Sequence, residues 1–121
     1  ILDSLDIPGP LRGILTAHVA YPLNNWLVLA CDMIDMDKYT MKRILKEAEE
    51  KQGFDFYVYK NESFYEPFCG IYTASGLKKL YGCYQQQQIK HFGLQALFND
   101  SFTYSCPVGA NGHAFRNYNQ L

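Results

Sequence analysis

Trp26-Leu27-Val28-Leu29-Ala30-Cys31 is an apolar run without alternation, and Asp32 follows it directly. A strand with one face in water alternates apolar and polar side chains. An unbroken run instead fits a strand buried on both faces, in a parallel sheet covered by helices. This segment points to an α/β chain. Its flanks agree. Gly9-Pro10 opens a stretch with Leu11, Ile14, Leu15 and Val19 at the spacing of one helical face. Pro10 suits a first helical turn, where its missing N–H would have no partner anyway. Tyr21 to Asn25 reads as the turn into the apolar run. Beyond it, Asp35 or Asp37 is placed to cap a helix from about Lys38 to Gln52, with an inward stripe of Met41, Ile44, Leu45 and Ala48 and a stop at Gly53.

The second half departs from strict βαβ order. Phe54 to Lys60 alternates Phe54, Phe56 and Val58 with Asp55, Tyr57 and Tyr59, which gives a strand with two different faces. Asn61-Glu62 turns it back into a second strand near Phe64 to Tyr72, interrupted by Pro67 and Gly70. Ser75 to Tyr81 predicts a short helix, and Gln85 to Phe98 a longer one with Ile89, Phe92, Ala96 and Leu97 inward and Gly93 as a weak point. Phe102 to Cys106 and Phe115 to Tyr118 are the last strand candidates. The expected fold is α/β with a partly antiparallel excursion, in a single domain over residues 1–121.

Composition narrows the partners. With 11 Lys and Arg against 12 Asp and Glu, the formal net charge is −1, which offers no electrostatic footprint for nucleic acid or an anionic membrane. No run approaches the roughly 18 apolar residues of a membrane span. At 48% apolar and 16% aromatic residues the chain is too hydrophobic for a disordered segment. The expectation is a soluble, cytoplasmic, globular protein. Cys31, Cys69, Cys83 and Cys106 form no C-x-x-C pair, and His18, His91 and His113 stand at no metal-ligand spacing from them. Reduced core cysteines are the plainer reading, with disulfides or zinc as alternatives.

In open α/β sheets, ligands sit beyond the carboxyl ends of parallel strands. Asp3, after the apolar Ile1-Leu2, and Asp32, after the long run, occupy such places. A carboxylate there is either a Mg²⁺ ligand or a plain loop cap. Gly9-Pro10-Leu11-Arg12-Gly13 is either a turn or a helix start whose N–H groups receive a phosphate or base. Arg12 is a phosphate partner or an ordinary exposed helix arginine.

Taken together, several stretches resemble the molybdenum cofactor guanylyltransferases. Asp3-Ser4-Leu5-Asp6-Ile7-Pro8-Gly9-Pro10-Leu11-Arg12-Gly13-Ile14 is similar to that family's aspartate followed by G-P-L-x-G-I/M, and Leu27 to Met33 to its apolar strand ending in C-D-M/T. Glu66-Pro67-Phe68-Cys69-Gly70-Ile71-Tyr72 resembles its E-P-L-x-A-x-Y segment, and Phe115-Arg116-Asn117-Tyr118-Asn119 its F-x-N-x-N. The resemblance implies a three-layer α/β/α, Rossmann-like nucleotidyltransferase fold with a mostly parallel sheet. It implies transfer of GMP from Mg·GTP to molybdopterin with release of pyrophosphate, and molybdoenzyme maturation proteins as further partners. Asp32 would be the catalytic residue and carry Mg²⁺. Asp3, with Asp6 as competitor, would contact the nucleotide together with Pro10 and Leu11, and Asn117 and Asn119 would shape the molybdopterin side.

Three departures stand out. The family's glycine-rich L-A-G-G-x-S-x-R-M-G-x-D-K loop is not in this sequence, Ile34 replaces a common proline after C-D-x, and Gln120 replaces a common threonine after N-x-N. With the opening Ile1-Leu2-Asp3 reading as the end of a strand, the expectation is the C-terminal two-thirds of a domain of about 190 residues, inactive without its phosphate-binding loop. Two other readings stay open. One is a non-catalytic nucleotidyltransferase-like binding module; the other is a cytidylyl or sugar-phosphate nucleotidyltransferase.

Overall fold

The computed structural model describes residues 10–29, 38–62, 64–86 and 93–108. They form α1 (Pro10–Ala20), β1 (Trp26–Val28), α2 (Lys38–Glu50), β2 (Phe56–Lys60), β3 (Tyr65–Tyr72), α3 (Ala74–Gln85), α4 (Leu94–Asp100) and β4 (Thr103–Pro107). The strands make one sheet in the order β1-β3-β2-β4. β3 runs antiparallel to both β1 and β2, and β4 runs parallel to β2. Hence β1, β2 and β4 share one direction and β3 alone opposes them. Their carboxyl ends fall on one edge of the sheet.

The alternation expected for the second strand builds the two faces of the core. Phe56 and Val58 of β2 pack with Leu11, Ile14 and Leu15 of α1, Leu77 of α3 and Phe98 of α4. Tyr57 and Tyr59 point the other way, to Ile44 of α2, Ile71 and Cys69 of β3 and Cys106 of β4. Helices therefore cover both faces, three on one and α2 on the other, which is the expected three-layer α/β/α arrangement. Apolar burial on this scale contributes roughly 25 cal/mol per Å², and aromatic edge contacts such as those of Phe98 with Phe56, Tyr65 and Tyr72 add to it.

The structure corrects several local expectations. β1 covers only the first half of the apolar run, its residues are half-buried, and its paired neighbour is antiparallel β3. Residues 30–37 lie outside the described residues. Leu45 is 46% exposed, and Thr40 and Ile44 carry the buried line of α2. On α1, His18 rather than Val19 completes the buried stripe after Leu11, Ile14 and Leu15. The first of the two later helices is the longer one, and Gly93 is the N-cap of α4 instead of an interior residue. Ile89, Phe92, His91 and the strand candidate 115–118 lie outside the described residues.

Pro67 and Gly70 do interrupt β3, by a bulge. Tyr57 pairs with Ile71 but Tyr59 pairs with Glu66, so residues 67–70 all stand opposite Val58. Cys69 takes up a left-handed backbone there, with φ of 62°. Gly70 is held against β2 so closely that a Cβ would lie 2.8 Å from Val58 Cγ1. The Tyr72 hydroxyl donates to the Pro67 carbonyl at 2.7 Å and ties the bulge down.

Asp55 fastens the opposite, amino edge of the sheet. Its carbonyl accepts from the Thr73 amide (3.2 Å) and hydroxyl (2.7 Å), its amide donates to the Phe102 carbonyl (2.7 Å), and its carboxylate meets Lys79 Nζ at 3.1 Å. Thr73 also caps α3 by accepting from the Gly76 amide at 3.0 Å. The starts of β2, α3 and β4 are thus joined at one residue.

His18 is buried at the α1–α3 interface, edge-on to Tyr81, and its Nδ1 has no partner among the described residues. Burial lowers its pKa below the usual 6.5, because the charged ring loses water and gains nothing. The unfolded chain therefore binds this proton more readily. The contribution is fully present above pH 6.5 and is lost as pH falls through the lower folded value. Urea unfolding midpoints are expected to drop on acidification below pH 6.5, and less steeply in His18→Leu. The raised pKa of Glu66 acts in the opposite sense in both proteins, so the difference between them isolates His18. Identical pH curves for the two would refute this account.

Candidate functional site

The carboxyl edge of β1, β2 and β4 is where an α/β sheet of this kind takes a ligand. Each chain connection brings something to it. The α1 helix ends beside the start of β1, so its first turn, Pro10 to Gly13, lies toward the carboxyl end of that strand. The α2 helix begins at Lys38, directly after the connection that carries Asp32, and the buried Tyr59 hydroxyl near the end of β2 donates to the Thr40 carbonyl of its first turn at 2.9 Å. The β2–β3 turn adds Asn61 and the start of β3 adds Glu66, and β4 ends at Pro107, whose carbonyl accepts from Arg43 Nη1 at 3.2 Å.

A groove of about 350 Å³ opens beside β1, and its walls unite motifs that are far apart in sequence. Gly13 and Ile14 come from the G-P-L-R-G-I stretch, Leu27, Val28 and Leu29 from the run that leads to Asp32, and Phe68 from the E-P-F-C-G stretch. Among the described residues nothing outside its own helix turn lies within 4 Å of a Cβ added at Gly13, which leaves the helix start open toward the groove. Leu29 is exposed at the groove's end. Trp26 also lines it, and its buried indole N–H has no partner among the described residues.

Of the residues expected at the site, Pro10 is the first residue of α1. The Leu11 side chain is buried in the core beneath the groove, so only its backbone is available to a ligand. Arg12 is exposed on the same turn. Asp3, Asp6, Asp32, Asn117 and Asn119 lie outside the described residues, as does Cys31. Cys69 and Cys106 are buried and Cys83 is exposed.

A larger cavity, about 810 Å³, lies at the other end of the sheet between α2 and the start of α3, with Trp26, Leu45, Phe54, Asp55, Thr73 and Lys79 in its walls. Its most buried polar groups, Asp55 and Thr73, are engaged in the fastening of the amino edge. It faces away from the strand ends, and the groove beside β1 is the better candidate.

Glu66 stands out at the carboxyl edge although its position in the sequence singled out no role for it. Its carboxyl is half-buried, accepts from Asn61 Nδ2 at 3.2 Å, and is pushed above the usual carboxylate pKa by burial, an effect that the Asn61 hydrogen bond opposes. The available signal was an acidic residue inside an otherwise aromatic and apolar strand.

The model of the MobA-like NTP transferase domain matches residues 1–100. A molybdenum cofactor biosynthesis bifunctional protein from Synechocystis sp. is 32% identical over 78 residues, covering 64% of this chain and 22% of that protein. Molybdopterin-guanine dinucleotide biosynthesis protein A from Archaeoglobus fulgidus superposes with a TM-score of 0.73 at 21% identity, over 92% of this chain and 56% of that one. A protein from Aquifex aeolicus VF5 does so with a TM-score of 0.72, also at 21% identity, over 95% and 58%. The chain thus spans about a fifth of the curated relative and just over half of each of these structures.

Proposed function

Because the chain belongs to the MobA-like NTP transferase domain family, we propose that it serves transfer of GMP from Mg·GTP to molybdopterin, with release of pyrophosphate. The observation that carries this reading is the groove beside β1. It joins three stretches of the family resemblance at the end of the sheet where the fold takes ligands. The Synechocystis relative, named for molybdenum cofactor biosynthesis, supports the choice of pathway.

In this reading an oxygen of the molybdopterin phosphate attacks the α-phosphorus of GTP in line, and the bond from that phosphorus to the bridging oxygen breaks as pyrophosphate leaves. The first turn of α1 offers the Leu11 backbone and neighbouring N–H groups to the nucleotide beside Pro10, with Asp3 or Asp6 as a further contact. Asn117 and Asn119 shape the molybdopterin side. Holding both substrates in line supplies much of the rate enhancement.

Asp32 is the proposed Mg²⁺ ligand. Its carboxylate is a hard oxygen donor, as that ion prefers, with phosphate oxygens and water completing the shell. The ion would neutralise charge that develops on the phosphates. The proposed setting is the cytoplasm, with molybdoenzyme maturation proteins as recipients of the product. Among the described residues no helix is long and apolar enough to cross a membrane.

The test is a competition assay on the protein as its gene encodes it, with molybdopterin as acceptor and GTP, CTP and ATP as donors. GMP transfer at least about tenfold more efficient than the alternatives is expected, since a site hydrogen-bonded to one base rejects others strongly. Preference for CTP would move the assignment to cytidylyl transfer, and absence of any transfer would end it.

A further inference from the structure

We propose that Glu66 is a specificity-determining carboxylate that accepts the paired N–H groups of a 2-amino-4-oxopyrimidine edge, the edge that guanine and pterins share. This rests on the reading above that the substrates are a guanine nucleotide and a pterin.

Three observations lead to it. The first is position. Glu66 pairs with Tyr59, one step inside the carboxyl end of β2 and two residues ahead of Phe68 in the groove wall. The second is an unmet demand for donors. A carboxylate offers about four acceptor sites on two oxygens. Glu66 is half-buried, yet among the described residues only Asn61 Nδ2 donates to it, at 3.2 Å and on Oε2. Its neighbour Lys60 sits over the Tyr65 ring, 4.8 Å from the centroid, on the other face of the strand. A desolvated carboxylate that has, among the described residues, one neutral donor and no paired cation gains most from a ligand that brings two parallel N–H groups.

The third observation is that the carboxylate is held ready. Asn61 Oδ1 accepts from the Phe64 amide at 2.9 Å, which fixes the amide and leaves Nδ2 for Glu66. Gln95 of α4 grips the preceding residue from the side, with its Oε1 accepting from the Tyr65 amide at 2.8 Å and its Nε2 donating to the Tyr65 carbonyl at 2.6 Å. The Tyr72 hydroxyl on Pro67 and the close seat of Gly70 lock the bulge that follows. Glu66 therefore projects from backbone that is tied on both sides. Such preorganisation suits recognition and exceeds what a solvated surface glutamate requires.

Two substrate pairs separate the sources of the edge. Inosine triphosphate is GTP without the 2-amino group, and lumazine is pterin with an oxo group in its place. Calorimetric titration of the full-length protein and of Glu66→Gln with all four compounds reads the effect without requiring turnover. Glutamine keeps the size but replaces one acceptor by an N–H₂ that faces the ligand's own donors. Affinity for GTP or for pterin is expected to fall by about 10- to 100-fold, and the preference over its deaminated analogue to vanish. Loss in the GTP pair places the carboxylate on the nucleotide; loss in the pterin pair places it on the acceptor. Glu66→Asp, which keeps the charge, is expected to retain the preference with weaker binding.

The proposal is overturned if Glu66→Gln holds all four compounds as the wild type does. It is equally overturned if the wild type distinguishes neither pair, which needs no folded variant. Wild-type protein that discriminates yet transfers no GMP would sink the transfer reading and leave the carboxylate's role standing. Wild-type protein that transfers GMP, with a Glu66→Gln variant of unchanged affinities, would do the reverse.

Discussion

Gly76→Ala is expected to destabilise the protein by about 2–3 kcal/mol, seen as a lower urea midpoint with an unchanged denaturant slope. An added Cβ would lie 2.6 Å from the Asp55 carbonyl oxygen, 2.8 Å from its Cβ and 3.1 Å from its carbonyl carbon. None of these atoms can swing aside. The Asp55 carbonyl already accepts both the amide and the hydroxyl of Thr73, and its amide binds Phe102. Relief would have to separate α3 from the start of β2, loosening the N-cap and the Asp55–Lys79 contact together. Gly82→Ala, in the same helix, is the control. Among the described residues nothing outside its own helix turn lies within 4 Å of its added Cβ, so the ordinary advantage of alanine over glycine in a helix should stabilise by about 0.5–1 kcal/mol. The two variants should move in opposite directions. Shifts of the same sign would contradict the close approach of α3 to Asp55.

Asp32→Asn is expected to lower the rate of GMP transfer by about a thousandfold in kcat/KM. The amide keeps the shape of the carboxylate but loses the charge that would hold Mg²⁺, and charge neutralisation of the phosphates by a metal is worth several kcal/mol, at about 1.4 kcal/mol per factor of ten. Removing Mg²⁺ with a chelator should reproduce the loss in the wild type and add little in the variant. Circular dichroism and the urea midpoint should stay near wild type if the role is confined to the reaction. An Asp32→Asn protein with undiminished transfer would remove Asp32 from the catalytic centre.

The elements legible in the sequence were those that a periodic pattern announces. Leu11, Ile14 and Leu15 marked the buried face of α1, and the alternation from Phe54 to Lys60 anticipated that β2 would show Phe56 and Val58 to one cluster and Tyr57 and Tyr59 to the other. The turn at Asn61-Glu62 and the irregular strand after it were also visible. The end of α1's stripe at His18, the outward face of Leu45 and the capping role of Gly93 were not, because hydrophobicity does not register which neighbour lies opposite a residue. The candidate site divided in the same way. Pro10, Leu11 and the run toward Asp32 could be picked out by motif and resemblance. Glu66 could not be given a role, because its half-buried place and its grip by Asn61 depend on how β2 and β3 are paired.

By itself the sequence determined the α/β class, the α1, α2 and β2 segments and the family resemblance, since each rests on residues close together along the chain. The tertiary structure decided what depends on distant segments meeting. It set the β1-β3-β2-β4 order, joined Gly13, Leu29 and Phe68 in one groove, and seated Gly76 on Asp55. The sign of Gly76→Ala illustrates the division: local helix propensity favours alanine there, and a carbonyl oxygen 21 residues back in the chain, 2.6 Å from where its Cβ must go, reverses the outcome.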